Sequence, residues 1–220
     1  MLVKDKMSTE VLAVTTETTL PDALALMEEK RVRRLPVLEK DKLVGIVTLL
    51  DLVRASPSPA TSLSIWELNY LLAKLQIKDI MAKEVLTVGP DEPIDDAAAL
   101  MRENRIGGLP VVEEGKVVGM ITETDIFTAF LEMLGVSRGG LRLTLELPDR
   151  QGSLAEMTEL FRNFGVNIVS VAVLPSQPEK NVGQSVWRLQ GCDDVDALLA
   201  FLREKSYRVI HYSEGNVCEE

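Results

Sequence analysis

The sequence has little of what metal centres and catalytic sites are usually built from. It contains one histidine, His211, and two cysteines, Cys192 and Cys218, which form no CxxC pair. A structural zinc site normally uses four Cys or His ligands, so this composition excludes a classical zinc site. His211 lies in an alternating apolar stretch, which is typical of a strand-surface histidine. No GxSxG nucleophile motif and no P-loop occurs. The sequence therefore offers little for an enzyme.

The chain also lacks an excess of basic residues and any long apolar run. Its 24 Lys and Arg residues are outnumbered by 34 Asp and Glu residues, which gives a net charge of −10. Such a charge repels a phosphate backbone, so nucleic-acid binding is disfavoured. A membrane-spanning helix needs about 20 consecutive apolar residues, and no such run is present. No basic segment followed by an apolar core marks a secretory signal. We therefore expect a cytoplasmic protein with reduced thiols and no membrane partner.

An internal repeat organises the first two thirds of the chain. When the sequence is shifted by 74 positions, residues 3–53 align with residues 77–127 without a gap and with 23 identities in 51 pairs. Each copy predicts a helix, two strands joined by a charged turn, and a second helix. A unit of about 50 residues buries its sheet poorly alone, whereas two copies can pack together about a pseudo-twofold axis. The sequence thus predicts a pair of related domains.

The part of the repeat with the clearest chemistry is its GhhTxxD ending, in which h is an apolar residue. It reads GIVTLLD at residues 45–51 and GMITETD at residues 119–125. A strand ends at the threonine and a helix begins near the aspartate, where a hydroxyl and free backbone N–H groups suit a phosphate. The carboxylate can accept hydrogen bonds from the two hydroxyls of a ribose. The alternative is that each threonine and aspartate only caps its own helix.

The paired GhhTxxD endings, with the LPV upstream of each, resemble a tandem pair of CBS domains. The resemblance gives a first CBS domain at residues 1–55, a linker with a helix at residues 56–76, and a second CBS domain at residues 77–135. It implies that an adenosine nucleotide (AMP, ADP or ATP) or S-adenosylmethionine binds between the repeats, as a regulatory ligand and not as a catalytic cofactor. The implied contacts are Arg33, Arg34, Thr48, Asp51, Gly107, Gly108, Thr122, Thr124 and Asp125.

The two copies differ at the positions that precede LPV. The first copy has Arg33 and Arg34 where the second has Gly107 and Gly108. By the same resemblance, basic side chains at these positions reach the phosphates of a bound nucleotide. The aligned glycines carry no charge but permit close approach of the backbone to a base. The alternative for the arginines is a solvated helix end, where basic residues complement the dipole.

The linker between the copies predicts a helix of its own. Ser64 and Glu67 form the S-x-x-E pattern that caps a helix start. We expect Trp66 and Tyr70 on this helix to be buried or to lie at a subunit interface. Together with the helix at residues Phe127–Leu134, they are the candidate interface of a homodimer, because both parts of the chain leave apolar or strand-pairing surface uncovered.

The C-terminal third has a different pattern, in the order strand, helix, strand, strand, helix, strand over residues 140–213. This order predicts a ferredoxin-like α+β sandwich. With the turn PDRQGSLAE and the following GVNI, it resembles an ACT domain. The resemblance implies either dimerisation alone or an amino-acid site at a subunit interface, where helix-start N–H groups hold the α-carboxylate. The alternative is that these residues build the turn or pair with backbone. The implied contacts are Asp149, Gln151, Gly152, Ser153 and Asn167.

The whole arrangement, a CBS pair followed by one ACT domain, resembles the acetoin-utilisation regulatory protein (AcuB) family. It implies a non-catalytic regulatory protein that senses an adenosine nucleotide and acts on an unidentified protein. A structural dimerisation or scaffold protein with no functional ligand site is the first alternative. An enzyme is the second, with the carboxylate pairs Asp95/Asp96 and Asp193/Asp194 as candidates. Both pairs stand at predicted helix starts, where the helix dipole favours acidic residues, so we expect no enzyme activity.

Overall fold

The computed structural model describes residues 1–56, 64–177 and 182–215. By its internal contacts the chain divides into two units, Met1–Ile126 and Phe127–Glu220. The first unit contains the internal repeat, and the second contains a four-stranded antiparallel sheet with two helices. The predicted α+β fold class is therefore confirmed.

The first repeat begins with a short strand and closes with a short helix. Its elements, in chain order, are β1 (Val14–Thr15), α1 (Leu20–Lys30), β2 (Arg34–Glu39), β3 (Lys42–Thr48) and α2 (Leu49–Ala55). Leu20, Ala23 and Met27 recur at helical spacing and bury one face of α1. After α1 the backbone at Arg31 adopts a left-handed conformation with φ 53°. That turn leads the chain directly into the two arginines that precede β2.

The second repeat has the same construction, except that an isolated parallel bridge between Val88 and Val111 takes the place of the β1 pairing. A linker helix, α3 (Ile65–Lys74), precedes α4 (Ile94–Asn104), β4 (Gly108–Glu113), β5 (Lys116–Thr122) and α5 (Glu123–Met133). Pro110 pairs with Met120 in this repeat as Pro36 pairs with Ile46 in the first. Each of these partners is shifted by the same 74 positions, so the register of the hairpins repeats along with the sequence.

The two repeats exchange their leading segments. Ser8 forms two backbone hydrogen bonds of 2.9 Å with Met120 of the second repeat, and Ala82 forms two of 2.9 Å with Ile46 of the first. A reciprocal exchange of this kind is what a twofold relation between the copies produces. Each repeat therefore supplies backbone to the other.

The aromatic pair of the linker helix is exposed, contrary to the expectation that it could be buried within the chain. Trp66 is 85% exposed and Tyr70 is 62% exposed. They lie one turn apart on one face of α3, where the Lys74 ammonium stands 4.2 Å from the centre of the Tyr70 ring. Leu72 points the other way and packs against the core of the first repeat. The helix therefore packs through the face that carries Leu72 and not through the aromatic face. An interface role for Trp66 and Tyr70 stays a prediction.

The second unit is the predicted ferredoxin-like sandwich. Its elements are β6 (Gly140–Pro148), α6 (Ser153–Asn163), β7 (Asn167–Gln177), β8 (Val182–Gln190), α7 (Val195–Glu204) and β9 (Val209–Gly215). The strand order is β7-β8-β6-β9, so β7 and β9 are the two edges. Trp187 and Phe161 pack edge-to-face in the core, with ring centres 5.1 Å apart. His211 is exposed on β9, in register with Thr144.

Among the described residues, no helix combines the length and the apolar character that crossing a membrane requires. Within the same ranges, no three His, Cys, Asp or Glu residues come together in a way that could hold a metal ion.

Candidate functional site

A cavity of about 310 Å³ lies between the two repeats of the first unit. Its walls come from the segment that carries Ser8, from the Arg31–Arg34 turn after α1, and from the Thr122–Asp125 junction of β5 with α5. The exchange of leading segments brings these three pieces together. The cavity gathers six of the nine residues predicted to contact a nucleotide, namely Arg33, Arg34, Gly107, Thr122, Thr124 and Asp125.

Thr122 donates two hydrogen bonds to Asp125 at the start of α5. The Thr122 backbone N–H donates to Asp125 Oδ2 at 2.8 Å, and the Thr122 hydroxyl donates to the same oxygen at 2.7 Å. The carboxylate is half-buried and stands at the cavity wall. The capping role considered as an alternative is therefore real, and it fixes the carboxylate in the wall of the cavity. The positive end of the α5 dipole favours a negative group at this position.

Thr48 and Asp51 form the same arrangement at the start of α2. The Thr48 N–H and hydroxyl donate to Asp51 Oδ2 at 2.9 Å and 2.6 Å. Neither residue lines the 310 Å³ cavity, however. The next positions also differ, because Leu50, which is 55% exposed, takes the place of Thr124. In both GhhTxxD elements the threonine N–H and hydroxyl donate to the aspartate carboxylate. Only the second element lies at the cavity.

Arg34 crosses from the first repeat to the second. Its Nη1 donates a hydrogen bond to the Gly107 carbonyl oxygen. A Cβ at Gly107 would lie 2.6 Å from Arg34 Nη2 and 2.7 Å from Glu123 Oε2, and a Cβ at Gly108 would collide with Arg34 Nη1. The space beside both glycines therefore holds the Arg34 guanidinium. The guanidinium thus takes the space beside the glycines that was expected to receive a nucleotide base. Gly108 itself does not line the cavity.

The charges around Arg34 act in opposite directions. Burial, and then the neighbouring charge of Arg33, lower the pKa of the Arg34 guanidinium, while Glu123 and Asp125 oppose the shift. Glu10 adds another carboxylate to the cavity wall. Sequence reasoning missed both glutamates. The signal for Glu123 was present inside the second motif, because this position holds Leu49 in the first repeat.

In the second unit, a cavity of about 620 Å³ opens at the turn between β6 and α6. Asp149, Gly152 and Ser153 line it, whereas Gln151 does not. Gly152 precedes α6 with φ 91°, and a Cβ there would meet open space. The Ser153 hydroxyl is buried and has no hydrogen-bond partner among the described residues. Leu154, Val173 and Leu174 supply much of the apolar wall.

Asn167 lies far from this cavity within one chain. It opens β7, pairs with Gln190, and borders a separate cavity of about 500 Å³. The cause is topological, because β6 and β7 both pair antiparallel with β8 and therefore run in the same direction. The start of β7 and the end of β6 then stand at opposite ends of the sheet, about 25 Å apart at the usual rise per residue.

Comparison with known proteins agrees with both units. The family model described as CBS domain matches residues 3–58 and 77–132, and the model described as TTHA0829-like ACT domain matches residues 139–212. A protein from Vibrio cholerae described as an acetoin utilization protein (AcuB) is 29% identical, with a TM-score of 0.52. The similarity covers 63% of this chain and 96% of that one.

Two similar solved structures contain adenosine ligands. The CBS domain pair of protein MJ0100, in complex with 5′-methylthioadenosine and S-adenosyl-L-methionine, is 30% identical with a TM-score of 0.50 over 59% of this chain and 95% of that one. The protein CBSX2, in complex with AMP, is 32% identical with a TM-score of 0.50 over 60% of this chain and 96% of that one.

Proposed function

Because the chain belongs to the CBS domain family and carries an ACT domain after its CBS pair, we propose that it is a non-catalytic regulatory protein that senses an adenosine ligand. The ligand occupies the 310 Å³ cavity between the repeats. The observation that carries the proposal is the convergence of arginines, a helix start and a capped aspartate on that one cavity. The AMP complex and the S-adenosylmethionine complex of similar CBS pairs support the same ligand class.

Each part of the cavity has a chemical task in this proposal. The Asp125 carboxylate accepts hydrogen bonds from the ribose hydroxyls, since a carboxylate has lone pairs beyond those used by Thr122. Arg33 and the start of α5 hold the phosphate. Because Arg34 joins the two repeats at Gly107, an anion that attracts this guanidinium alters the contact between the repeats. A ligand shifts such an equilibrium only through its different affinity for the two states.

A thermal-shift panel tests the proposal. Adenosine, AMP, ADP, ATP, S-adenosylmethionine and 5′-methylthioadenosine are each added to the full chain up to millimolar concentration. A ligand at 100 times its Kd stabilises the folded state by about 2.7 kcal/mol, which raises the midpoint by roughly 5–10 °C for a protein of this size. A flat response to every compound would contradict the sensor and favour the scaffold alternative.

For the ACT domain we propose an amino-acid site that two chains complete. The 620 Å³ cavity and the unpartnered hydroxyl of Ser153 support a polar ligand at the start of α6. Asn167 stands at the other end of β7, which is an edge strand with free pairing positions. If β7 paired antiparallel with β7 of a second copy, the partner's Asn167 would come near Leu174 at the cavity wall. The same β7–β7 pairing would therefore form the homodimer and complete the amino-acid site. In the alternative, the pairing forms the dimer and no amino acid binds.

A further inference from the structure

The cavity between the repeats carries balanced charge, although the chain as a whole is acidic. Three arginines and three carboxylates line it: Arg31, Arg33, Arg34, Glu10, Glu123 and Asp125. At neutral pH their formal charges cancel. The cavity is therefore not a general anion site, and each added negative charge on a ligand must find a cation that is not already engaged.

Arg34 is the cation least available to a ligand. It is half-buried and donates a hydrogen bond to the Gly107 carbonyl oxygen. Arg34 Nη2 and Glu123 Oε2 lie 2.6 Å and 2.7 Å from the position that a Cβ on Gly107 would take, so the two atoms are at most about 5.3 Å apart, the sum of those distances. Glu123 attracts the Arg34 guanidinium, since it opposes the lowering of the Arg34 pKa by burial and by Arg33. The exposed arginines Arg31 and Arg33 remain for a ligand.

The two positive charges of Arg31 and Arg33 balance the negative charge of a single phosphate group. A phosphate monoester carries about 1.5 to 2 negative charges at neutral pH. The second and third phosphates of ADP and ATP add negative charge, which the carboxylates of Glu10 and Glu123 repel. Volume favours the same conclusion, because about 310 Å³ lies at the lower end of the range of roughly 300–1,000 Å³ for small-molecule sites.

The fold itself does not require a carboxylate at position 123. Leu49 occupies the equivalent first position of α2, and that helix begins with the same Thr–Asp capping geometry. The glutamate is therefore a feature of the cavity and not of the helix start. Its removal leaves the structural frame in place.

We propose that the cavity selects an adenosine ligand with one phosphate over ligands with two or three, and that Glu123 sets this selectivity. The proposal rests on the adenosine site proposed above and names its ligand class. Glu123 acts by repelling the added phosphates and by holding the Arg34 charge away from them. Adenosine itself binds more weakly than AMP, because it leaves Arg31 and Arg33 without an anion.

Calorimetric titration of the full chain with adenosine, AMP, ADP and ATP, in buffer with EDTA, tests the selectivity. We expect AMP to bind at least about tenfold more tightly than ATP. Glu123→Gln should narrow that ratio by about threefold to tenfold, which is the size expected for one charge at several ångströms in a partly solvated site. Glu10→Gln should narrow it in the same direction. Glu17→Gln, which removes the same charge from an exposed position that does not line the cavity, should leave the ratio unchanged.

The outcomes separate the two proposals. Equal affinity for AMP and ATP in the unmodified chain, or an unchanged ratio in both Glu123→Gln and Glu10→Gln, would overturn the selectivity and leave the adenosine site standing. Binding of S-adenosylmethionine or 5′-methylthioadenosine, with none of the four compounds binding, would overturn the selectivity alone. Failure of all six compounds to bind would refute the adenosine site itself, and the selectivity with it.

Discussion

The guanidinium of Arg34 in the first repeat donates a hydrogen bond to the carbonyl of Gly107 in the second. The two positions are 73 residues apart in the sequence. A long cationic side chain is thereby fixed against a residue without a side chain, and Glu123 stands beside both. This contact couples the charge of the cavity to the junction of the repeats, so a ligand that moves Arg34 also changes how the repeats meet.

A side chain at position 107 should therefore disturb this junction. In Gly107→Ala the new Cβ meets the ends of Arg34 and Glu123, which must move away. The loss of the Arg34 hydrogen bond is expected to lower the free energy of unfolding by about 0.5–1.5 kcal/mol, measured by denaturant titration.

The control for this variant is a double-mutant cycle. Arg34→Ala removes the side chain that the new methyl group displaces. Gly107→Ala in that background should therefore cost less than it does in the unmodified chain. Equal costs in the two backgrounds would contradict the contact.

Much of the first unit could be predicted because the sequence repeats itself. A shift of 74 positions aligned both GhhTxxD elements, and the structure repeats the pairing of Pro36 and Pro110 at the same shift. The partner of Arg34 could not be predicted in this way. Periodicity reports which face of an element is apolar, but not where a flexible guanidinium on one repeat will find a carbonyl on the other.

Two other expectations show the same limit. The apolar and aromatic residues of α3 predicted a helix correctly, yet they did not reveal that Leu72 would pack inward while Trp66 stayed exposed. The position of Asn167, in contrast, follows from the predicted strand order. Two strands that flank a common antiparallel neighbour run in the same direction, so the start of one cannot lie at the end of the other.

The two capped aspartates provide a matched pair of variants. Asp51→Ala and Asp125→Ala each remove a carboxylate that accepts hydrogen bonds from its threonine. Both are expected to cost about 0.5–1.5 kcal/mol of stability, because the threonine at the helix start loses its hydrogen-bond acceptor. Only Asp125→Ala should also lower the affinity for AMP, by roughly tenfold to hundredfold, because it removes a charge-assisted contact to the ribose. An equal effect of both variants on AMP titrations would contradict the assignment of the ligand to the 310 Å³ cavity.

In the core of the second unit, Ser185 is the hydrogen-bond partner of Trp187. The indole N–H donates to the Ser185 hydroxyl at 2.8 Å, and both residues are fully buried. Ser185→Ala should leave the buried N–H without an acceptor and lower the free energy of unfolding by about 1–3 kcal/mol. Denaturant unfolding monitored by tryptophan fluorescence measures this loss. Ser213→Ala, on exposed β9, is the control and should change stability by less than about 0.5 kcal/mol. A neutral result for Ser185→Ala would show that the indole finds another acceptor.

The edge strand β7 is expected to hold the homodimer together. Val173 is 51% exposed on that edge, and lysine on an edge strand opposes pairing with another strand. Val173→Lys should therefore reduce the particle mass measured by light scattering from about twice the 24.3 kDa of one chain to that of one chain. Tyr212→Lys places the same charge on β9, the opposite edge, and should leave the dimer intact. If Val173→Lys stayed dimeric while substitutions at Trp66 and Tyr70 dissociated the particle, the linker helix would be the interface, and the partner's Asn167 could not complete the amino-acid site.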